Sequence, residues 1–244
     1  MELQITQLSE QENALIKNAP AEYGTIFQNA HDLVFLTGHF ISSIKPDGFV
    51  FSLFIPQVQK ALTLSLLSCL RNHEVQLHMM LRYALESGCL AGYALNNPNL
   101  DDFCYTDSSD CLYPKEKAKE KAYKWINNHF PSYSEKIKYM KDSINESFAH
   151  ANILSAPKNY DSSETGIRSL FFDRADKLIT QKNLWWIANI SFGLLDFLAK
   201  VIKEHPHVSF AVGFHEKMKR YGRENGEIKE QLSSHPRFKR WMDK

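Results

Sequence analysis

The stretch from Gln57 to Leu95, QVQKALTLSLLSCLRNHEVQLHMMLRYALESGCLAGYAL, decides the fold class. It contains no proline and reads as helix throughout. A helix of that length is unusual in a globular protein, so the reading places a kink or break near Arg71-Asn72-His73. From Val75 onward the segment is apolar nearly all round, the pattern of a central, buried helix. Gly88-x-x-x-Gly92, with Ala91 beside it, permits close approach of another helix. That helix is either one from the same chain or one across a dimer interface.

Upstream, Ser9-x-x-Glu12 has the spacing of a capping box and predicts a short helix after it. Apolar residues from Tyr23 to Ile44 recur at helical spacing as one broad stripe. Pro46-Asp47-Gly48 reads as a turn, and Pro56 as the opening residue of the next helix. Downstream, Asn96 to Pro114 reads as a loop with Asp101, Asp102, Asp107 and Asp110 and no basic residue, hence a solvated acidic excursion. Lys115 to Asn128 reads as a charged helix. Pro131 and the box Ser132-x-x-Glu135 open another that runs to about Ser155. After a connector from Ala156 to Tyr160, Asp161-x-x-Glu164 has the spacing of a cap for a helix ending near Thr180.

Asn183 to Lys203 is apolar enough to raise the question of a membrane span. Asn189, Gly193, Asp196 and Lys200 step by four, three and four residues and so form one narrow polar face. Asp196 and Lys200 are also an i,i+4 pair, and a central Asp costs about 3 kcal/mol in a bilayer. The segment therefore reads as a nearly buried bundle helix. The tail from His215 to Lys244 holds nine Lys/Arg against five Asp/Glu, which reads as a solvated helical face.

These elements make an all-α multi-helix bundle, read as one domain over residues 1–244. Composition agrees. Only 10 Gly and 9 Pro leave few turn-makers for a β-sandwich or barrel, and 43% hydrophobic against 23% charged residues argues against disorder. A net charge of +1 gives no overall signature of a nucleic-acid or membrane binder. Cys69, Cys89, Cys104 and Cys111 have no C-x-x-C spacing, and Met1 to Lys17 carries no apolar signal core. The expectation is a cytoplasmic chain with free thiols, Cys104 and Cys111 included.

Chemistry is concentrated on the central segment. Glu74, His78, Arg82 and Glu86 step by four residues, with Arg71 in the same arc, so ionisable groups gather on one side of a helix that otherwise avoids them. A buried charge is costly unless paired. The stripe is therefore either a structural network or the lining of a pocket between helices, and in the second reading Glu74, Arg82, Glu86, Asn145 and His150 are the ligand-binding candidates. Glu74-x-x-x-His78 is matched by Glu146-x-x-x-His150, so a metal site in the bundle core is a third reading. Against it, Glu146 and His150 point away from the apolar stripe of Ile137, Met140 and Ile144. No metal ligand set or cofactor is assigned. His205-x-His207 and His215 read as surface histidines at a helix end.

Arg71-Asn72 followed by His78 resembles the R-x(4–6)-H motif of the HEPN superfamily, whose members are small all-α bundles. The resemblance covers about eight residues. It implies a metal-independent ribonuclease, with Arg71 stabilising charge on a phosphate and His78 acting in acid–base cleavage through the RNA 2′-OH. A broader likeness is to bacterial helical proteins with a central apolar helix bearing Arg and Glu, and it implies no activity. The first functional expectation is a binding or interaction module. The alternatives are the HEPN-like ribonuclease and a metal-dependent bundle enzyme. A second copy of the chain is the candidate partner, no membrane is expected, and nucleic acid enters only with the ribonuclease.

Overall fold

The computed structural model describes residues 4–148, 156–163, 166–174 and 176–242. Eight α-helices are present among them: α1 (Ile5–Leu36), α2 (Phe49–Leu70), α3 (Glu74–Asn96), α4 (Lys117–His129), α5 (Pro131–Ser147), α6 (Lys177–Ile202), α7 (Phe214–Ser234) and α8 (Pro236–Met242). Three two-stranded antiparallel ribbons accompany them. β1 (Ile41–Ile44) pairs with β6 (Val208–Phe210), β2 (Cys104–Thr106) with β3 (Leu112–Pro114), and β4 (Tyr160–Ser163) with β5 (Gly166–Ser169). The chain is an all-α bundle.

The break in the long central segment is a full reversal rather than a kink. Asn72 adopts φ 58°, a left-handed conformation in which Asn is one of the few tolerated non-glycine residues. The Ser65 hydroxyl donates to the Leu77 carbonyl and the Tyr83 hydroxyl to Gln57 Oε1, so α2 and α3 run antiparallel as a helical hairpin. Leu62, Leu77, Leu81 and Leu85 are fully buried within it. α6 then packs against α1, α2, α3 and α7. Gly88 and Gly92 are where it comes closest: a Cβ at Gly88 would stand 2.6 Å from Leu194, and one at Gly92 2.7 Å from Phe197. The glycine pair serves contact between α3 and α6 of the same chain.

Asn189 and Gly193 lie at the half-buried edge of α6, and Asp196 and Lys200 are exposed, so the polar face is where its spacing puts it. Segments Pro46–Leu70 and Lys177–Ile202 are each long and apolar enough to cross a membrane, with 39% and 56% of the respective windows buried inside the protein.

Several boundaries differ from expectation. The Ser9-x-x-Glu12 box lies inside α1, which starts at Ile5 and bends at Gly24, where φ is +52°. α1 stops at Leu36, and the apolar residues Ile41 and Ile44 belong to β1. Pro56 sits inside α2, which begins at Phe49 directly after a 3-10 turn over Pro46–Gly48. The acidic loop folds back as β2–β3, and Asp107 closes its turn by accepting from the Ser109 and Cys111 amides. α5 ends at Ser147, and residues 149–155 of the expected helix lie outside the described residues. Asp161 belongs to a hairpin strand, and the cap of α6 is Asp176, whose Oδ1 accepts from the Leu178 amide at 3.1 Å. Cys69, Cys89, Cys104 and Cys111 are free thiols.

Candidate functional site

The start of α3 is held from a distance. His73 precedes the helix without capping it. Instead Asp173 Oδ2 accepts from the Glu74 amide at 2.6 Å, while the Asp173 amide donates to the Asn72 carbonyl at 2.9 Å. A carboxylate at this helix N-terminus satisfies a free amide and complements the helix dipole. Arg71 and His73 turn the other way, to α1. Arg71 Nε lies 3.6 Å from Glu12 Oε2, and His73 Nε2 lies 3.0 Å from Glu12 Oε1.

At the first position of α3, Glu74 is buried and its carboxylate accepts from Lys158 and, at 3.4 Å, from Asn183 Nδ2 of α6. Burial alone would raise the Glu74 carboxyl. Lys158, with smaller contributions from His78 and Lys182, outweighs it and holds the carboxyl below its usual range. Burial also pushes Lys182 down, a shift that Glu74 opposes. His78 is 4% exposed. Its Nδ1–H donates to the Glu74 carbonyl at 2.8 Å, and its ring stacks on Phe148 at 3.7 Å between centroids. A carbonyl only accepts, so Nδ1 carries the proton and Nε2 keeps its lone pair. Burial pushes the imidazole down to about 4. The cavity beside Glu74 and Asn183 is only about 30 Å³, room for a water molecule.

The second half of the stripe is more open. Arg82 Nε is 3.4 Å from Glu86 Oε1, and Lys119 of α4 reaches Glu86 Oε2 at 3.4 Å. Beside them, a cavity of about 240 Å³ lies between α4 and α5, lined by Tyr123, Ser134, Ile137, Lys138, Lys141 and Asp142 among others. Tyr123 Oη is buried and has no hydrogen-bond partner among the described residues. Burial pushes this phenol well above the ordinary tyrosine value, with Cys89 and Glu86 adding to the rise. The Lys141 ammonium lies 4.1 Å from the centre of the Tyr123 ring. α5 runs antiparallel to α3, since Phe148 meets His78 while Lys141 acts on Cys89. Asn145 falls between those two levels in sequence, and its Oδ1 is likewise buried without a partner among the described residues.

The predicted stripe thus divides into three groups. Arg71 joins Glu12, Glu74 and His78 join Lys158 and Phe148, and Arg82 and Glu86 join Lys119. Among the described contacts Arg71 turns to Glu12 and His78 to Glu74 and Phe148, and the two do not meet. Glu146 is exposed on α5, and His150 lies outside the described residues. Among the described residues no three His, Cys, Asp or Glu side chains gather as a metal set. Lys158, Lys182, Asn183, Tyr123 and Lys141 are site residues that sequence reasoning missed. Tyr123 had a usable signal, because it follows Ala122 on the buried side of an otherwise charged helix. No family model, no curated protein and no solved structure matches the chain.

Proposed function

We propose that the protein is a binding module that takes a small, anion-bearing polar molecule in the cavity between α4 and α5. One observation carries the reading: the Tyr123 hydroxyl is buried at that cavity with no acceptor among the described residues. Leaving a buried donor unpaired costs about 1–3 kcal/mol, and a ligand acceptor removes that cost. Lys138 and Lys141 border the same space, and Arg82 and Lys119 stand behind it, against Glu86 and Asp142. The positive excess favours an anion. The volume suits a carboxylate or phosphate compound of a few heavy atoms, below the usual drug-sized pocket.

The Glu74–His78 half supports this site. Its charges are paired, and it fixes α3 against α6 and the Lys158 segment. The test is a calorimetric and NMR titration with inorganic phosphate and with succinate. Saturable binding is expected for at least one, weakened about tenfold in Tyr123→Phe and in Lys141→Met, since a charge-assisted hydrogen bond contributes about 1.5–3 kcal/mol. No saturation with either probe, or binding unchanged in both variants, overturns the reading.

A further inference from the structure

A second groove lies on the other side of the bundle, between α1 and α7, with a volume of about 490 Å³. Its floor is polar in an unusual way. Asn29 of α1, 3% exposed, donates from Nδ2 to Asn225 Oδ1 of α7 at 3.2 Å. Asn225, 6% exposed, donates in turn to Asn189 Oδ1 of α6 at 3.3 Å, and its own carbonyl accepts from Trp185 Nε1 at 3.1 Å. The amides form a ladder across three helices, each oxygen accepting from the next nitrogen. The ladder ends at Asn29, where Oδ1 is buried and accepts from no described residue. Asn29 lines the groove. A buried carbonyl oxygen at the end of a satisfied chain requires a donor, and the groove is the open side.

The rest of the lining defines what that donor is. Asp32, one helical turn after Asn29, and Glu224 and Glu227 of α7 surround the groove, with Arg220 as the single cation among its described lining residues. Arg220 already faces Glu224, with Nε 3.7 Å from Oε1, and it lies over the Tyr221 ring. Asp32 accepts from Gln28 Nε2 at 2.7 Å and from the Tyr221 hydroxyl at 3.4 Å, both neutral donors. His31 also touches Asp32, at 3.1 Å, from the exposed side. The groove therefore combines an acceptor without a donor at its base with carboxylates that outnumber its one cation.

We infer that the α1–α7 groove is a binding site for an organic cation bearing N–H donors, a guanidinium or a primary ammonium. Asn29 Oδ1 accepts one N–H and Asp32 takes the charge. A planar guanidinium presents several N–H groups in a fixed fork, and reaches a carbonyl and a carboxylate side by side. Glu227, exposed on the rim, serves a second positive group on the same molecule. This site shares no residue with the cavity between α4 and α5 and stands independently of the function proposed for it.

The probes are agmatine, which carries both groups, putrescine, which carries ammonium alone, and tetramethylammonium, which is charged but has no N–H. Each is titrated into the full chain by calorimetry, and the Asn side-chain amides are followed by NMR. Agmatine or putrescine is expected to saturate and to move the Asn29 and Asn225 side-chain signals, and tetramethylammonium is not. Asp32→Asn, an isosteric change at a half-buried position, and Glu227→Gln, at an exposed one, weaken binding about tenfold or more at low salt with melting temperatures measured alongside, and added salt weakens it in the wild-type chain. Asn29→Leu removes the acceptor but also cuts the ladder, so its melting temperature is measured alongside. Absence of saturation with both amines, equal binding of tetramethylammonium, or an affinity untouched by Asp32→Asn overturns the proposal.

Discussion

Lowering the pH from 7.5 to 5 is expected to weaken the fold through His78 alone by about 2 kcal/mol. The imidazole is buried against Phe148 with its Nδ1–H committed to the Glu74 carbonyl, and burial brings it from 6.5 down to about 4. The groups facing it are Glu74, which favours a charged ring, and Lys182 and Lys158, which oppose one. A base whose folded value lies below its unfolded value costs nothing above the unfolded value, where it is neutral in both states. Below it the unfolded chain binds a proton that the native chain refuses, so stability falls with pH until the folded value is reached. At about 1.36 kcal/mol per unit the whole span corresponds to about 3 kcal/mol, of which about 2 kcal/mol falls between pH 7.5 and 5. Glu74 titrates below that window, because its carboxyl is held under its usual range. The assay is urea unfolding of the wild type and of His78→Gln at both pH values. The wild type is expected to lose about 2 kcal/mol more than the variant. Equal losses in the two proteins refute the burial and protonation state assigned to His78.

Other outcomes follow from the same geometry. Gly88→Ala and Gly92→Ala, whose new methyls meet Leu194 and Phe197, are expected to destabilise by about 1–3 kcal/mol. Gly193→Ala and Gly226→Ala, with nothing within 4 Å, are expected to stabilise by about 0.5–1 kcal/mol in thermal melts. Asp173→Ala removes the distant cap of α3 and is expected to cost about 1 kcal/mol, with faster amide exchange in the first turn of α3. Burial raises the Cys69 and Cys89 thiols, the latter up to about 12, so a thiol reagent should label Cys104 and Cys111 in the native protein and the buried pair only after unfolding. Tyr123→Phe deletes an unpaired buried hydroxyl, so it is expected to raise stability by about 1 kcal/mol while weakening the ligand, and a stability loss contradicts the orphan assignment.

The bundle was legible because its signals are local. The polar face of α6 is carried by four residues at helical spacing, and the break near Asn72 by the sheer length of the segment around it. The burial of Glu74 and His78 followed from the apolar residues between them. What the sequence hid was non-local or ambiguous. Lys158 reaches Glu74 across 84 residues, and Asp173 caps α3 across 99, separations at which spacing carries no information. Asp161-x-x-Glu164 has a cap's spacing but Asp161 sits in a strand opposite Arg168, because the spacing of a cap does not by itself start a helix. The place of Tyr123 beside the buried Ala122 was readable, but only a structure tells whether a phenol has a partner.

The most direct measurement is a crystal structure of the chain soaked with the tighter-binding of phosphate and succinate. An oxygen of the bound anion within about 2.5–3.0 Å of Tyr123 Oη, with Lys141 or Lys138 on its other side, is the expected result. Density for the anion elsewhere, or a Tyr123 hydroxyl found donating to a protein atom, contradicts the site on which the proposed function stands.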